Sequence, residues 1–391
     1  MNFDEFPDRY KEKCRKWDKE KIKENFGEVP QDIIPMWIAD MDFQAPDILL
    51  KKLHETVDIG VFGYTYVYND FFDSIRNYYL KHHHAKISDS WVTLCYGTVS
   101  TLHYTVQAFC REGDRIILQT PVYSPFQSAA KSQGVSCITN PLIIQDNRYM
   151  IDFTHFEYQL KTQRPKLYLM CSPHNPSGRI WNVEELERVF ALCKKYNTVV
   201  VADEVHSGMI YEGPYTSISE LGDCFDQAIL LSSPNKKYNL GGLKTSFSII
   251  KNEQIRNQFR SQLKKNSITS PNVFGILALT ACMDEGDAWS EECMRYIYKN
   301  YQFAIDYIKN HLPMLSYMNM ESSYLMWLDI RKTNKSSDRF TSELARNYGV
   351  LLESGSHFVE NGEGFIRINL GTQYASVKEC FLRIHEYLKQ I

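Results

Sequence analysis

The chain has 391 residues, with 44 Lys and Arg against 47 Asp and Glu, for a formal net charge of −3. Its 43% hydrophobic and 23% charged content excludes a disordered or low-complexity chain. The near-neutral balance also argues against a nucleic-acid partner, which calls for a basic excess or stripe.

The opening stretch, MNFDEFPDRYKEKCRKWDKEK, is charged from its first residues and cannot serve as the apolar region of a signal peptide. No run approaches the ~20 apolar residues of a spanning helix, so no membrane partner is expected. Ten cysteines occur, none in a C-x-x-C and none at zinc-finger spacing. A cysteine-built metal site is therefore not expected, and the thiols read as those of a reduced, cytoplasmic protein.

Residues 1–45 show no periodic core pattern of their own and are expected to pack on the C-terminal unit. From about residue 90 to 250 one grammar repeats: a short apolar run, a loop, then an amphipathic stretch. The runs are WVTLC (91–95), RIILQ (115–119), KLYLMC (166–171), TVVVA (198–202), AILLS (228–232) and TSFSII (245–250). Their lack of polar alternation predicts strands covered on both faces. Between them, residues 183–196 carry apolar side chains at 183, 186, 189, 190 and 193, which is helical spacing, with Asn182 at the N-cap position. Such alternation predicts an α/β fold, a mostly parallel sheet sandwiched by helices. Residues 286–391 read as a smaller α+β unit: a helix over about 287–310, apolar runs at 322–330, 348–353 and 364–370, and a last helix over about 375–390. The expected division is 1–45, 46–285 and 286–391.

Ligands of open α/β sheets bind beyond the carboxyl ends of the strands. After the first run come Gly97, Thr98 and Val99, opening a helix whose N-terminal amides favour an anion. After the third comes SPHNPSG, in which two prolines stiffen the backbone around Asn175. After the fourth comes Asp203, an acid costly to bury without a cationic partner. After the fifth comes SPNKKYNLGG, with two adjacent lysines. Each alone is an ordinary turn. An amine, an acid and an anion cradle at one sheet edge are, together, what pyridoxal 5'-phosphate requires.

In chain order, PMWIADMDF (35–43), GVFGYT (60–65), TPVYSPF (120–126), CSPHNPSGRIW (171–181), ADEVH (202–206) and SPNKKYNLGGL (233–243) resemble fold-type-I pyridoxal-phosphate enzymes of the aminotransferase superfamily. The likeness covers nearly the whole chain. Within that superfamily, DMDF with DE-V-H resembles the cystathionine β-lyase and cysteine C–S lyase branch. The resemblance implies that Lys236 is the Schiff-base lysine, with Ser233 three residues before and Asn239 three after selecting it over Lys237. It implies that Asp203 pairs with the pyridine nitrogen, Asn175 with the ring hydroxyl, and Tyr123 with the ring face. Gly97, Thr98, Val99 and Ser233 would cradle the phosphate, and Tyr64 would reach it from a partner subunit, making a homodimer with shared sites. Lys244 stands where relatives often have a phosphate-binding Arg. Arg367 would clamp the substrate carboxylate, with Tyr64 and Asp40 also on the substrate side, and His206 would orient Asp203.

The implied reaction is α,β-elimination of a small amino acid, L-cystathionine or a cysteine-type substrate, to a thiol, pyruvate and ammonia. Transamination on the same cofactor is the alternative, and a regulatory protein that keeps the fold is a third reading. A nucleotide-driven motor, suggested by the D-E-x-H box, is excluded because no G-x-x-x-x-G-K-[ST] occurs. The triplet His82–His84 is expected at the surface, not on a metal.

Overall fold

The computed structural model describes residues 2–269 and 271–390. The apolar runs form one seven-stranded sheet with β1 (Val92–Cys95), β2 (Arg115–Thr120), β3 (Ser136–Pro141), β4 (Leu167–Cys171), β5 (Val199–Asp203), β6 (Ala228–Ser232) and β7 (Ser246–Ile249). The order across the sheet is β1-β7-β6-β5-β4-β2-β3. The pairs β3–β2, β2–β4, β4–β5 and β5–β6 are parallel, and β7 runs antiparallel to both of its neighbours. Alternate residues of the central strands enter two cores: Ile117, Tyr168, Met170, Val200 and Ala202 one, and Ile116, Leu118, Leu167, Leu169 and Val201 the other. A strand buried on both faces needs an apolar side chain at every position, which explains the unbroken runs. β3 is absent from the runs read in the sequence. It lies at the sheet edge, where Ser136 is exposed and Thr139 half-buried, while the buried Asn140 amide donates to Asp152 O at 3.2 Å.

Helices α1 (Asn69–His83), α2 (Thr98–Phe109) and α3 (Val183–Lys195) belong to this part of the chain. The expected cap of α3 forms as a reciprocal box. The Asn182 side chain accepts from Glu185 N at 2.8 Å, and the Glu185 side chain accepts from Asn182 N at 2.9 Å. α2 ends at Phe109, with Cys110 N donating to Val106 O.

After α4 (Asp287–His311) a four-stranded antiparallel sheet forms from β8 (Ser316–Tyr317), β9 (Leu325–Asp329), β10 (Glu353–Ser354) and β11 (Phe365–Asn369), in the order β8-β9-β11-β10. Ile34–Pro35 pairs in parallel with Val350–Leu351. Ile22, Phe26 and Trp37 share a small core with Ala345 and Leu351. Among the described residues no helix is long and apolar enough to cross a membrane.

The histidine triplet departs from expectation. Only His84 is exposed; His82 is half-buried and His83 is buried. Successive helical residues point in different directions, so the end of α1 turns His83 inward, its ring centre 5.1 Å from that of Tyr79. Burial holds its imidazole down to about 3, so it is neutral.

Candidate active site

Asp203 closes β5, while Tyr123, Asn175 and Lys236 stand on the loops that leave β2, β4 and β6. All four therefore lie beyond the carboxyl edge of the parallel strands. β1 ends at the same edge, because β7 reverses direction and sets Ser246 opposite Cys95. Gly97 follows with φ of 88°, a left-handed conformation that suits glycine, and a Cβ there would meet nothing within 4 Å. Thr98 and Val99 begin α2, whose first-turn amides lack helical partners and present a site for an anion.

The adjacent lysines separate. Lys236 Nζ donates to Ala39 O at 2.6 Å. Burial, reinforced by the nearby positive charge of Arg367, lowers its amine to about 8. Lys237 instead forms an ion pair with Asp287 at 2.7 Å. Thus Lys236 alone of the two turns its amine to the groups gathered at the sheet edge.

Asp203 is 5% exposed, and its Oδ1 accepts from Val205 N at 3.1 Å. The expected cationic partner is missing: among the described residues no cation lies within the 4.0 Å of an ion pair. Burial accordingly raises its carboxyl to about 7, with the Val205 amide and the charge of Lys236 pulling the other way. His206 does not orient this acid. Its Nδ1 hydrogen-bonds to Ser323 Oγ at 2.9 Å, because the turn after β5 carries it toward the 322–324 segment. Burial, then Lys236 and Arg367, hold the His206 imidazole well below its ordinary value, so it is neutral beside those cations.

Arg367 lies in the middle of β11, 4% exposed. One guanidinium nitrogen donates to Asn175 Oδ1 and another to Trp37 O, each at 3.1 Å, while Nε has no partner among the described residues. Among the described residues no carboxylate pairs with it. The Trp37 and Ala39 carbonyls come from the 35–43 segment, which Asn239 holds through bonds to Met41 N and Met41 O at 2.9 Å each. Tyr324 OH also donates to Ala39 O, at 2.9 Å. Tyr324 escaped the sequence reading, since one tyrosine in the run SSYLMWLDI carries no distinguishing pattern.

Two other expectations, for Ser233 and Asp40, meet a different geometry. The Ser233 hydroxyl donates to Thr245 O at 2.8 Å, so its proton is not free for a phosphate. Asp40 faces the cations of the N-terminal stretch, Arg9 at 3.3 Å and Lys16 at 3.6 Å, and not an open substrate position. Those cations also bind the buried Asp42, which draws them to the segment. Lys244 is exposed, with φ of 50°, and only its field reaches Lys236. Tyr64 is fully exposed within this chain. Tyr123 is partly exposed, and burial raises its phenol, against the field of Arg367.

One acid and one guanidinium are thus buried without counter-charges among the described residues, beside an amine that burial brings closer to losing its proton. That donor set fits pyridoxal 5'-phosphate and an amino acid. Asp203 would meet the protonated ring nitrogen and Lys236 the aldehyde. The amides of Gly97, Thr98 and Val99 would take the phosphate, Asn175 the ring hydroxyl, Tyr123 the ring face, and Arg367 the substrate carboxylate.

A family model described as aminotransferase class I and II matches residues 27–384. Cystathionine beta-lyase PatB of Bacillus subtilis is 35% identical over 386 residues, covering 98% of this chain and 99% of that protein. Protein MalY of Escherichia coli is 28% identical over 376 residues, 95% of this chain and 94% of that one. Cystalysin of Treponema denticola, whose crystal structure contains a pyridoxal 5'-phosphate cofactor, has a TM-score of 0.95 at 29% identity, covering 100% of this chain and 99% of that one. The pyridoxal-phosphate-bound C–S lyase of Staphylococcus hominis has a TM-score of 0.91 at 28% identity, covering 99% and 98%.

Proposed function

The chain belongs to the class I and II aminotransferase family, and from that membership we propose that it is a pyridoxal-phosphate-dependent carbon–sulfur β-lyase. Its substrates are L-cystathionine or cysteine-type amino acids. The observation that carries the reading is the gathering of Lys236, with its lowered amine, beside Asp203 and Arg367, two buried charges lacking counter-charges. Lyase chemistry is preferred over transamination because the relatives matched along their whole length include proteins named as cystathionine and C–S lyases.

The bound cofactor supplies an electron sink that makes the α-proton of the substrate acidic. Lys236 Nζ is the base that takes this proton, a task suited to an amine whose charged form burial and Arg367 disfavour. The same nitrogen then holds the proton that the departing sulfur needs. Asp203 keeps the ring nitrogen protonated, since a cation beside the acid offsets the burial that raises it. Arg367, braced by Asn175 and Trp37 O, binds the α-carboxylate. Tyr123 covers the ring face. Cleavage of the Cβ–S bond of L-cystathionine releases homocysteine, and uptake of one water leaves pyruvate and ammonia.

We also propose a homodimer with shared active sites, in the cytoplasm, where its cysteines stay reduced. Val57, Ile59, Val61, Phe62, Tyr64, Tyr66 and Tyr68 are all exposed along one twelve-residue stretch. So much apolar surface on one segment suits a subunit contact. A second copy lying on it would receive Tyr64 at its own phosphate position.

The test is pyruvate release from L-cystathionine by the cofactor-loaded protein with no keto acid added. Pyruvate together with a free thiol supports the lyase. Turnover that appears only when a keto acid is supplied makes the protein an aminotransferase instead.

A further inference from the structure

The second lysine of the pair has an elaborate setting that the reaction does not use. Lys237 Nζ meets Asp287 Oδ1 at 2.7 Å, with the lysine side chain 6% exposed and the aspartate 19%. The Tyr238 hydroxyl donates to the same oxygen at 3.2 Å. The other carboxylate oxygen accepts from Lys81 Nζ at 2.6 Å and contacts His82 Nε2 at 3.1 Å. The Lys237 ammonium also lies 5.2 Å from the ring centre of Tyr78 and 5.1 Å from that of Tyr238. Its stem fills the space beside Gly208, where a Cβ would stand 2.8 Å from Lys237 Cδ.

One carboxylate therefore ties three pieces of chain together: the turn that carries both lysines, the end of α1, and the start of α4. Asp287 is the first residue of α4, where the helix dipole also favours an acid. A buried lysine without a partner sheds its proton and becomes a nucleophile, so an unpaired Lys237 would compete with its neighbour for an aldehyde. Pairing it to a carboxylate opposes the burial that lowers its amine, and the 2.7 Å contact turns that amine away from the site. It also pins the peptide on one side of Lys236, while Ala39 O receives the Lys236 amine on the other.

We propose that Lys237 and Asp287 are positioning residues, whose ion pair keeps Lys237 out of the site and holds the turn that presents Lys236 to the cofactor. The proposal rests on the reading of Lys236 as the cofactor lysine. Borohydride reduction of the pyridoxal-phosphate-loaded protein, followed by peptide mass mapping, tests the two separately. In the parent protein the adduct falls on Lys236; an adduct elsewhere overturns the functional reading itself. With that established, Asp287→Asn is expected to put part of the adduct on Lys237. It is also expected to lower kcat for pyruvate release roughly 10- to 100-fold, with KM within about threefold of the parent. Lys237→Met leaves the adduct on Lys236 but lowers kcat similarly, and Lys237→Arg, which keeps the charge, recovers most of it. The double variant is no worse than the worse single one, because both remove one interaction. Folded Asp287→Asn and Lys237→Met proteins with the adduct on Lys236 alone and kcat within about twofold of the parent overturn the proposal. Where Asp287→Asn does not fold, the contrast between Lys237→Met and Lys237→Arg decides it.

Discussion

Replacing Asp203 by Asn removes an ionisable group at nearly constant size, and the structure dictates opposite effects with and without cofactor. Burial holds this carboxyl at about 7, against an ordinary 3.8. At ~1.4 kcal/mol per pH unit, that separation is worth up to about 4 kcal/mol. The folded chain keeps the proton to about pH 7, whereas the unfolded chain releases it near pH 4. The native state therefore binds more protons between those values and loses stability as the pH rises through them. Below about pH 4 both states carry the neutral acid and the contribution vanishes. Without cofactor, Asp203→Asn is thus expected to match the parent near pH 4 and to melt several degrees higher at pH 8. With cofactor bound, the ring-nitrogen proton gives the carboxylate its counter-charge, and the parent becomes the more stable. Asn cannot balance that proton, so kcat for pyruvate release should fall roughly a hundred- to a thousandfold. Thermal scans at the two pH values, with and without pyridoxal phosphate, check the sign. A cofactor-free variant that melts below the parent at pH 8, or an unchanged kcat, refutes the reasoning.

Lys236→Ala is expected to abolish both the borohydride-trapped adduct and turnover; pyruvate released at the parent rate would contradict its role. Arg367→Ala should raise KM for amino acids by about a hundredfold while leaving kcat within a few-fold, as loss of one member of a buried charge pair implies. Arg367→Lys should fall between, because an ammonium cannot span a carboxylate as a guanidinium does, and an unchanged KM in the alanine variant removes the clamp. Light scattering should give twice the chain mass, and Tyr64→Ala should weaken pyridoxal-phosphate binding about tenfold in the dimer, the loss of one good hydrogen bond to a charged group. Equal affinity in parent and variant would exclude Tyr64 from the phosphate.

The strands of the large sheet were readable because burial on both faces demands unbroken apolar runs, as in Leu167–Cys171 and Ala228–Ser232. β3 was not, since an edge position admits Ser136 and Thr139, and hydrogen bonds with distant residues settle the buried Asn140, which leaves no pattern to find. The N-cap of α3 was legible at Asn182 because such a cap closes within four residues. The site was legible as a set of chemical groups, each just after a strand, because the ends of parallel strands share one edge.

Partners were another matter. His206 follows Asp203 by three residues, which suggested contact, yet Ser323, 117 residues away, takes its Nδ1. Asp40 was expected at the substrate, but Arg9 and Lys16 reach it from the N-terminal stretch. Asp203 was expected to have a cation and has none at ion-pair distance among the described residues. Ser233 and Asn239 pointed to Lys236, but what occupies Lys237 is an aspartate 50 residues further on. The sequence by itself determined the doubly buried strands, the N-cap of α3 and the groups delivered to the sheet edge, because backbone hydrogen bonding and short-range burial follow from neighbouring residues. Only the tertiary structure decided which charges are neutralised and which stay open for a ligand, because counter-charges arrive from distant segments and each has room for only a few partners.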